Sequence, residues 1–232
     1  MTMTKATNYT LYANDCLQVM KTLPDNSIDL VVTDPPYDVH AGKGGGAFGS
    51  RSSFKEIEFM SNGFNEEVLD ELVRVMKKIN IYLFCSQKQI PLLVNYFVNK
   101  QHCNWNLLTW HKTNPVPACK NKYLSDTEYI FFAREKGVPI LGEYKTKKTY
   151  YVTPNNAKEK KLYGHPTVKP QVILDNLVVN SSQENDVVLD PFMGSGSTGV
   201  ATLNNHRKFI GIELKEKYYQ TAEGRLKEIA SN

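Results

Sequence analysis

Short runs of Val, Ile and aromatic residues recur along the chain, separated by stretches whose apolar positions fall at helical spacing. The runs 28–33, 79–85, 106–110, 129–133, 187–190 and 209–213 have the length and the β-branched or aromatic content of buried strands. Between Phe64 and Lys78, the residues Val68, Leu69, Leu72, Val75 and Met76 form the stripe of a helix lying on a sheet. Tyr219, Ala222, Leu226 and Ile229 repeat that spacing and predict a helix at the C-terminal end. Strands alternating with such helices predict an α/β fold.

Two segments interrupt the alternation. From Asp38 to Ser53 the chain holds five glycines with Lys43 and Arg51, which predicts a flexible loop extending over 38–63. From Leu141 to Tyr163 it carries six lysines and four tyrosines against only Glu143 and Glu159. Composition adds exclusions rather than an assignment. With 41% hydrophobic and 22% charged residues over 232 positions, a single globular domain is expected. No apolar run reaches the roughly 18 residues of a membrane span, and Met1 to Thr10 lacks a signal peptide's apolar stretch, so a cytoplasmic protein is expected. Cys16, Cys85, Cys103 and Cys119 show neither paired nor zinc-finger spacing, so no metal site is expected and the thiols should be reduced. The net charge of +4 is too small to define a partner, and the position of the charges matters more.

The most informative turn runs from Val187 through Asp190-Pro-Phe-Met-Gly194-Ser-Gly196-Ser-Thr-Gly199, a strand entering a glycine-rich bend and then a helix. Gly194, Gly196 and Gly199 spell G-x-G-x-x-G, and Glu213 follows 19 residues after Gly194, where a carboxylate can accept hydrogen bonds from both hydroxyls of a ribose. No Lys follows the glycines in the Walker form, so a phosphate loop is excluded. Only 33 residues follow Gly199, enough for one more strand and a helix, so the rest of the sheet should come from the N-terminal side in a permuted order. Asp190 would set a negative charge beside the ligand, which suits an ammonium or sulfonium better than a pyrophosphate. Asp-Pro is also an ordinary turn former.

A second constellation is Ile28-Asp-Leu-Val-Val-Thr-Asp34-Pro35-Pro36-Tyr37. A buried strand ends in a carboxylate, and two prolines then hold the backbone extended without N–H donors. The Asp34 carboxylate and the Pro35 carbonyl can act as paired acceptors for an exocyclic amino group, with Tyr37 as the plate on which a flat base stacks. Alone, the tetrapeptide also serves as a rigid loop after a strand.

Taken together, these blocks resemble the S-adenosylmethionine-dependent DNA amino-methyltransferases, specifically the β class, in which Asp-Pro-Pro-Tyr precedes the glycine block. The resemblance extends from Leu11 to Leu226 and includes Asn14-Asp15-Cys16 through Asp29-Leu30, Trp110-His-Lys-Thr-Asn114, Asp126-Thr-Glu-Tyr-Ile-Phe-Phe132, His165-Pro-Thr167-Val-Lys169-Pro170 and Gly211-Ile-Glu213. It implies one Rossmann-like methyltransferase domain over 1–232, with a mostly parallel, circularly permuted seven-stranded sheet and a small target-recognition insertion at 137–164. It implies S-adenosylmethionine as cofactor, with Asp15 and the Cys16 backbone at the adenine, Glu213 at the ribose, Asp190, Phe192, Gly194 and Gly196 shaping the methionine pocket, and Thr167 and Lys169 at the methionine carboxylate. Asn14-Asp15 also reads as a helix N-cap, and Lys169-Pro170 as a helix start.

The same resemblance gives Asp34, Pro35, Pro36 and Tyr37 as the catalytic block, methylating an exocyclic amine of a base flipped out of DNA. Lys43, Arg51, Lys145, Lys147 and Lys148 are the candidate DNA contacts, and two subunits per assembly are implied. Asp before Pro-Pro-Tyr leans toward adenine N6 over cytosine N4. A nicotinamide oxidoreductase using the G-x-G-x-x-G turn, and a DNA-binding module without turnover, are the rival readings.

Overall fold

The computed structural model of the protein describes residues 2–35, 65–117, 120–121, 123–165 and 168–231. Its strands are β1 (Thr2–Lys5), β2 (Tyr9–Ala13), β3 (Leu30–Thr33), β4 (Asn80–Cys85), β5 (Asn104–Lys112), β6 (Thr127–Arg134), β7 (Tyr150–Thr153), β8 (Val187–Asp190) and β9 (Lys208–Glu213). The helices are α1 (Cys16–Met20), α2 (Glu66–Val75), α3 (Ile90–Leu93, continued by a π-helical stretch over Val94–Lys100), α4 (Ala157–Tyr163), α5 (Gln171–Ser181), α6 (Ser197–Asn204) and α7 (Glu216–Ala230).

Among the described residues all nine strands join one sheet in the order β1-β2-β9-β8-β3-β4-β6-β5-β7. The centre, from β2 through β9, β8 and β3 to β4, is parallel, as is the β5–β7 pair, whereas β1–β2, β4–β6 and β6–β5 are antiparallel. The permuted order predicted from the glycine block is present: β8 and β9, last in sequence, pair beside β3 and β2. The seven-stranded expectation is corrected to nine. Each extra edge strand has four residues, and the exposed Tyr150 and Val152 of β7 and the polar Thr2–Lys5 of β1 lack the buried pattern that identifies a central strand.

Parallel strands buried on both faces explain the continuous apolar runs. One face of the sheet packs Val31, Ile81, Leu83 and Phe131 against Leu69, Leu72 and Val75 of α2. The other packs Val32, Tyr82, Ile130 and Phe132 against Ile173, Leu174 and Leu177 of α5. A third cluster joins Leu11 and Phe209 to Tyr219, Ala222 and Leu226 of α7. The predicted helix at 64–78 begins at its N-cap Asn65, whose side chain accepts from the Val68 N–H. Arg74 of that helix binds Glu71 at 2.8 Å and the carbonyls of Met20 and Leu23 at 2.7 and 3.0 Å, fixing the turn that leads into β3. Among the described residues no helix is long and apolar enough to cross a membrane. Leu72 is 1% exposed at the centre of this packing. Leu72→Ala should cost about 2–5 kcal/mol of unfolding free energy, read as a lower midpoint in urea.

Candidate active site

In chain order β3 leads outward to β4 on one side and β8 leads to β9 on the other, so the crevice beyond the carboxyl ends of β3 and β8 is a topological switch point. A cleft of about 1000 Å³ opens there. Asp15, Cys16, Asp34, Lys169, Asp190, Phe192, Gly194 and Glu213 all line it. Gly196 lies between the lining residues Ser195 and Ser197, and Pro35 is buried next to Asp34. Pro36, Tyr37, Lys43, Arg51, Thr167, Cys119 and the predicted loop over 38–63 lie outside the described residues.

Each acidic group is held by its strand end. Asp190 is 3% exposed and accepts from the Thr33 hydroxyl at 2.6 Å and the Phe192 N–H at 3.1 Å. Burial pushes its carboxyl up to about 7 despite these donors. Glu213 accepts from the Lys215 N–H at 2.8 Å and the Gly194 N–H at 3.0 Å. Burial also raises its pKa above the ordinary carboxylate value, against the pull of those backbone donors. Asp15 caps α1, its carboxylate accepting from the Gln18 N–H at 3.1 Å, so the N-cap reading holds at the same position that lines the cleft. Asn14 donates its N–H to the Glu213 carbonyl at 3.1 Å, which ties the ends of β2 and β9 together. The Cys16 thiol is pushed up to about 12 by burial and the neighbouring Asp15, so it stays protonated.

The glycine turn requires glycine at two positions. Gly194 and Gly196 adopt φ of +50° and +79°. A Cβ on Gly194 would come 2.7 Å from His165 Nε2, and one on Gly196 would come 2.9 Å from the Ala222 Cβ. Arg225 of α7 braces the turn, donating to the Ser195 carbonyl at 2.6 Å while stacking over Tyr163 at 3.8 Å.

Lys169 shows a connection that the sequence did not. Its side chain is 6% exposed, and its ammonium lies 2.7 Å from Asp34 Oδ2 and 3.2 Å from Glu128 Oε2. The residue assigned to the cofactor's carboxylate therefore also touches the first residue of Asp-Pro-Pro-Tyr. Burial alone would lower the Lys169 pKa, but Asp34 and Glu128 raise it above the ordinary lysine value.

Further lining residues escaped assignment. His165 lies edge-on to Tyr218, with ring centroids 4.4 Å apart, and burial lowers its imidazole to about 4, so it is neutral near pH 7. Phe84 lines the cleft from the end of β4 and stacks under Lys169 at 4.9 Å. The His165-Pro-Thr-Val-Lys-Pro170 motif contained the signal for the first. For Phe84 the signal was the rule that strand ends at the switch point face the ligand. Lys145, Lys147 and Lys148 are exposed on the approach to β7, where Lys145 pairs with Glu143 at 3.1 Å. Thr146 is bonded to Asn180 near the last turn of α5, at the end of that helix away from Lys169. Lys160 of α4, by contrast, feels Lys169, Glu128 and Asp34 directly, and burial lowers it to about 8.

A buried anionic crevice with a glycine turn and a separate carboxylate at the adjoining strand end defines a methyltransferase type of site. The DNA methylase family model, which embraces N6 and N4 enzymes, matches residues 28–224, and the chain belongs to that family of S-adenosylmethionine-dependent DNA amino-methyltransferases. It is 30% identical to the type II methyltransferase M.HinfI of Haemophilus influenzae over 96% of this chain and 69% of that protein. It is 31% identical to the type II methyltransferase M2.LlaDCHI of Lactococcus lactis subsp. cremoris over 94% of this chain and 89% of that protein. Among solved structures, the M1.HpyAVI–SAM complex superposes with a TM-score of 0.69 at 25% identity, covering 94% of this chain and 100% of that one. The cytosine-N4-specific PvuII DNA methyltransferase shares the fold, with a TM-score of 0.73 at 16% identity over 98% of this chain and 92% of that one.

The Gly194 contact gives a direct check on the turn. Gly194→Ala should destabilise the protein by more than about 1 kcal/mol, because Ala is strained at positive φ and meets His165. An unchanged denaturation midpoint would show that the turn relaxes freely.

Proposed function

We propose that this DNA methyltransferase acts on the N6 amino group of adenine. The observation that carries the reading is the shared crevice of Asp34, the first residue of Asp-Pro-Pro-Tyr, with Asp190 and Glu213 of the glycine block. Asp in place of Ser before Pro35 favours adenine over cytosine N4.

The residues fit S-adenosylmethionine. The buried Asp190 suits its positive sulfonium, the Glu213 carboxylate suits two ribose hydroxyls, and Asp15 suits an adenine amino group; Gly194 and Gly196 let the turn lie close against His165 and Ala222, where a side chain would collide. Phe192 borders the same ligand, and Lys169 with Thr167 is the proposed partner of its carboxylate. When bound, the cofactor supplies an electrophilic methyl carbon.

The chain's own groups prepare the nucleophile. An aromatic amine is weakly nucleophilic because its lone pair is delocalised into the ring. Hydrogen bonds from its two N–H groups to Asp34 and to the Pro35 carbonyl favour a pyramidal nitrogen with a localised pair, and stacking on Tyr37 aligns it. Pro36, whose ring restricts φ and removes the N–H donor, belongs to the same proposed block. Orientation of this kind reaches effective molarities on the order of 10⁵ to 10⁸ M. The nitrogen lone pair so localised would face the methyl carbon that the bound cofactor would supply, and the amine would lose its surplus proton after transfer. No cysteine nucleophile takes part.

The base must be swung out of the duplex to reach the crevice. Lys43, Arg51, Lys145, Lys147 and Lys148 are the proposed phosphate contacts, each adding about 0.9 to the salt slope of DNA affinity. Assembly as two copies belongs to the same proposal.

Unmodified DNA incubated with methyl-labelled S-adenosylmethionine, then digested to nucleosides for mass spectrometry, should yield N6-methyladenine. N4-methylcytosine would transfer the reading to the other amine, and 5-methylcytosine would overturn the mechanism. Asp34→Ala should abolish transfer while leaving cofactor affinity nearly intact; equal loss of both would move Asp34 into the cofactor pocket.

Asp190 gives a pH test with a definite sign. Below about pH 7 the Asp190 carboxyl is neutral. Affinity for the sulfonium should then fall as pH drops, by up to about tenfold per unit. S-adenosylhomocysteine, an uncharged thioether that shares every other group, should show a shallower dependence in calorimetric titrations. Parallel profiles for the two ligands would remove Asp190 from the sulfonium's environment.

A further inference from the structure

Four buried or half-buried charges form a chain beside the crevice, and neither the glycine block nor Asp-Pro-Pro-Tyr contains its two middle members. Lys112 ends β5, and its ammonium lies 2.6 Å from Glu128 Oε1. Glu128, near the start of β6, offers its other oxygen to Lys169 at 3.2 Å, and Lys169 reaches Asp34 at 2.7 Å. β5 and β6 are antiparallel neighbours, with Trp110 opposite Glu128, so the chain crosses from the outer strands to the end of β3. Two aromatic faces support the cations, Trp110 under Lys112 at 5.2 Å and Phe84 under Lys169 at 4.9 Å.

The charges balance, two ammonium groups against two carboxylates. Burial opposes the ionised Glu128 carboxylate, yet Lys169 and Lys112 together hold it down to about 2. Each oxygen of Glu128 has a different lysine, so its orientation is set from both sides. A lysine side chain has four rotatable carbons and no intrinsic preference for one acceptor. Held by Asp34 alone, Lys169 can swing about that single contact. Held also by Glu128, its nitrogen is pinned between two strand ends.

We infer that Glu128 is a positioning residue for methyl transfer: by bridging Lys112 and Lys169 it fixes the Lys169 ammonium against Asp34, and thereby orients the carboxylate that receives the target amino group. The inference rests on the proposed role of Asp34 as acceptor. Glu128 touches neither the target nor the cofactor in this scheme, and acts through Lys169.

The test uses the full chain and single-turnover transfer from labelled S-adenosylmethionine to unmodified DNA, with cofactor affinity measured separately by calorimetry. Glu128→Gln keeps the shape but leaves one oxygen acceptor and turns an NH2 toward one of the two ammonium groups. It should slow transfer by about 10²-fold, the cost of a misplacement near 1 Å, with a smaller loss of cofactor affinity, because Lys169, the proposed partner of the cofactor's carboxylate, keeps its charge and its Asp34 contact. Glu128→Asp, which restores the charge, should recover part of the rate. Transfer at the unsubstituted rate in Glu128→Gln would overturn the inference. So would a parallel loss of rate and cofactor affinity that Glu128→Asp does not recover. If Glu128→Gln fails to fold, the charge-balanced pair Glu128→Gln with Lys112→Met leaves Lys169 and Asp34 together, and its transfer rate and cofactor affinity decide by the same outcomes. Asp34→Asn separates this inference from the reading beneath it. Full transfer by Asp34→Asn would remove the acceptor role itself, whereas inactive Asp34→Asn beside fully active Glu128→Gln would remove only the inference about Glu128.

Discussion

The hydrogen bond from the Thr33 hydroxyl to Asp190 joins two strand ends that are 157 residues apart in sequence. On one side of it, β3 continues into Asp34 and Pro35; on the other, β8 continues into Phe192 and the glycine turn. The parallel register that pairs Leu30 with Val188 and Val31 with Leu189 brings those ends level. A shift by one residue would turn Asp190 to the other face of the sheet and separate the two blocks. The crevice therefore depends on register, and register is held by the packing of Val31 and Leu189 on one face of the sheet and of Val32 and Val188 on the other, all fully buried.

Removing carboxylates from water costs several kcal/mol each unless partners replace the solvent. The site resolves this in two ways within a short distance. Asp34 and Glu128 receive lysine ammonium groups, whereas Asp190 and Glu213 receive hydroxyl and backbone N–H donors. Dipoles compensate a buried charge less completely than an ammonium does. The Asp190 carboxyl accordingly rises to about 7 while the Glu128 carboxyl falls to about 2.

Much of this was legible from residue order alone. The central strands carry uninterrupted apolar runs because both faces are buried, and the glycine block announces its turn through Gly194 and Gly196, whose positive φ other residues resist. Edge strands were harder to read. Tyr9 and Leu11 of β2 alternate with half-exposed residues, and β7 lies inside a lysine- and tyrosine-rich stretch whose composition suggests an insertion rather than a strand. Among the candidate site residues, Asp190 and Glu213 end predicted strands and are found by that rule, whereas Asp15 came from the resemblance. Glu128 escaped because it lies near the beginning of a strand. Only the antiparallel direction of β6 carries that beginning to the same end of the sheet as Asp34.

That reversal also separates two kinds of chemistry. The parallel half of the sheet presents carboxyl ends, whose following loops bring backbone N–H groups such as those of Phe192, Gly194 and Lys215 to bear on Asp190 and Glu213. The antiparallel half alternates strand ends and strand starts, and so can bring Lys112 and Glu128 from neighbouring strands within 2.6 Å. Asp190, with no ammonium or guanidinium paired to it among the described residues, presents an uncompensated acceptor suited to an incoming cation. Asp34, with its ammonium already in place, is suited to a neutral amine, for which a fixed acceptor direction matters more than net charge. Under the proposed roles, opposite environments for carboxylates on adjacent strand ends divide one crevice into a cation-accepting half and an amine-accepting half.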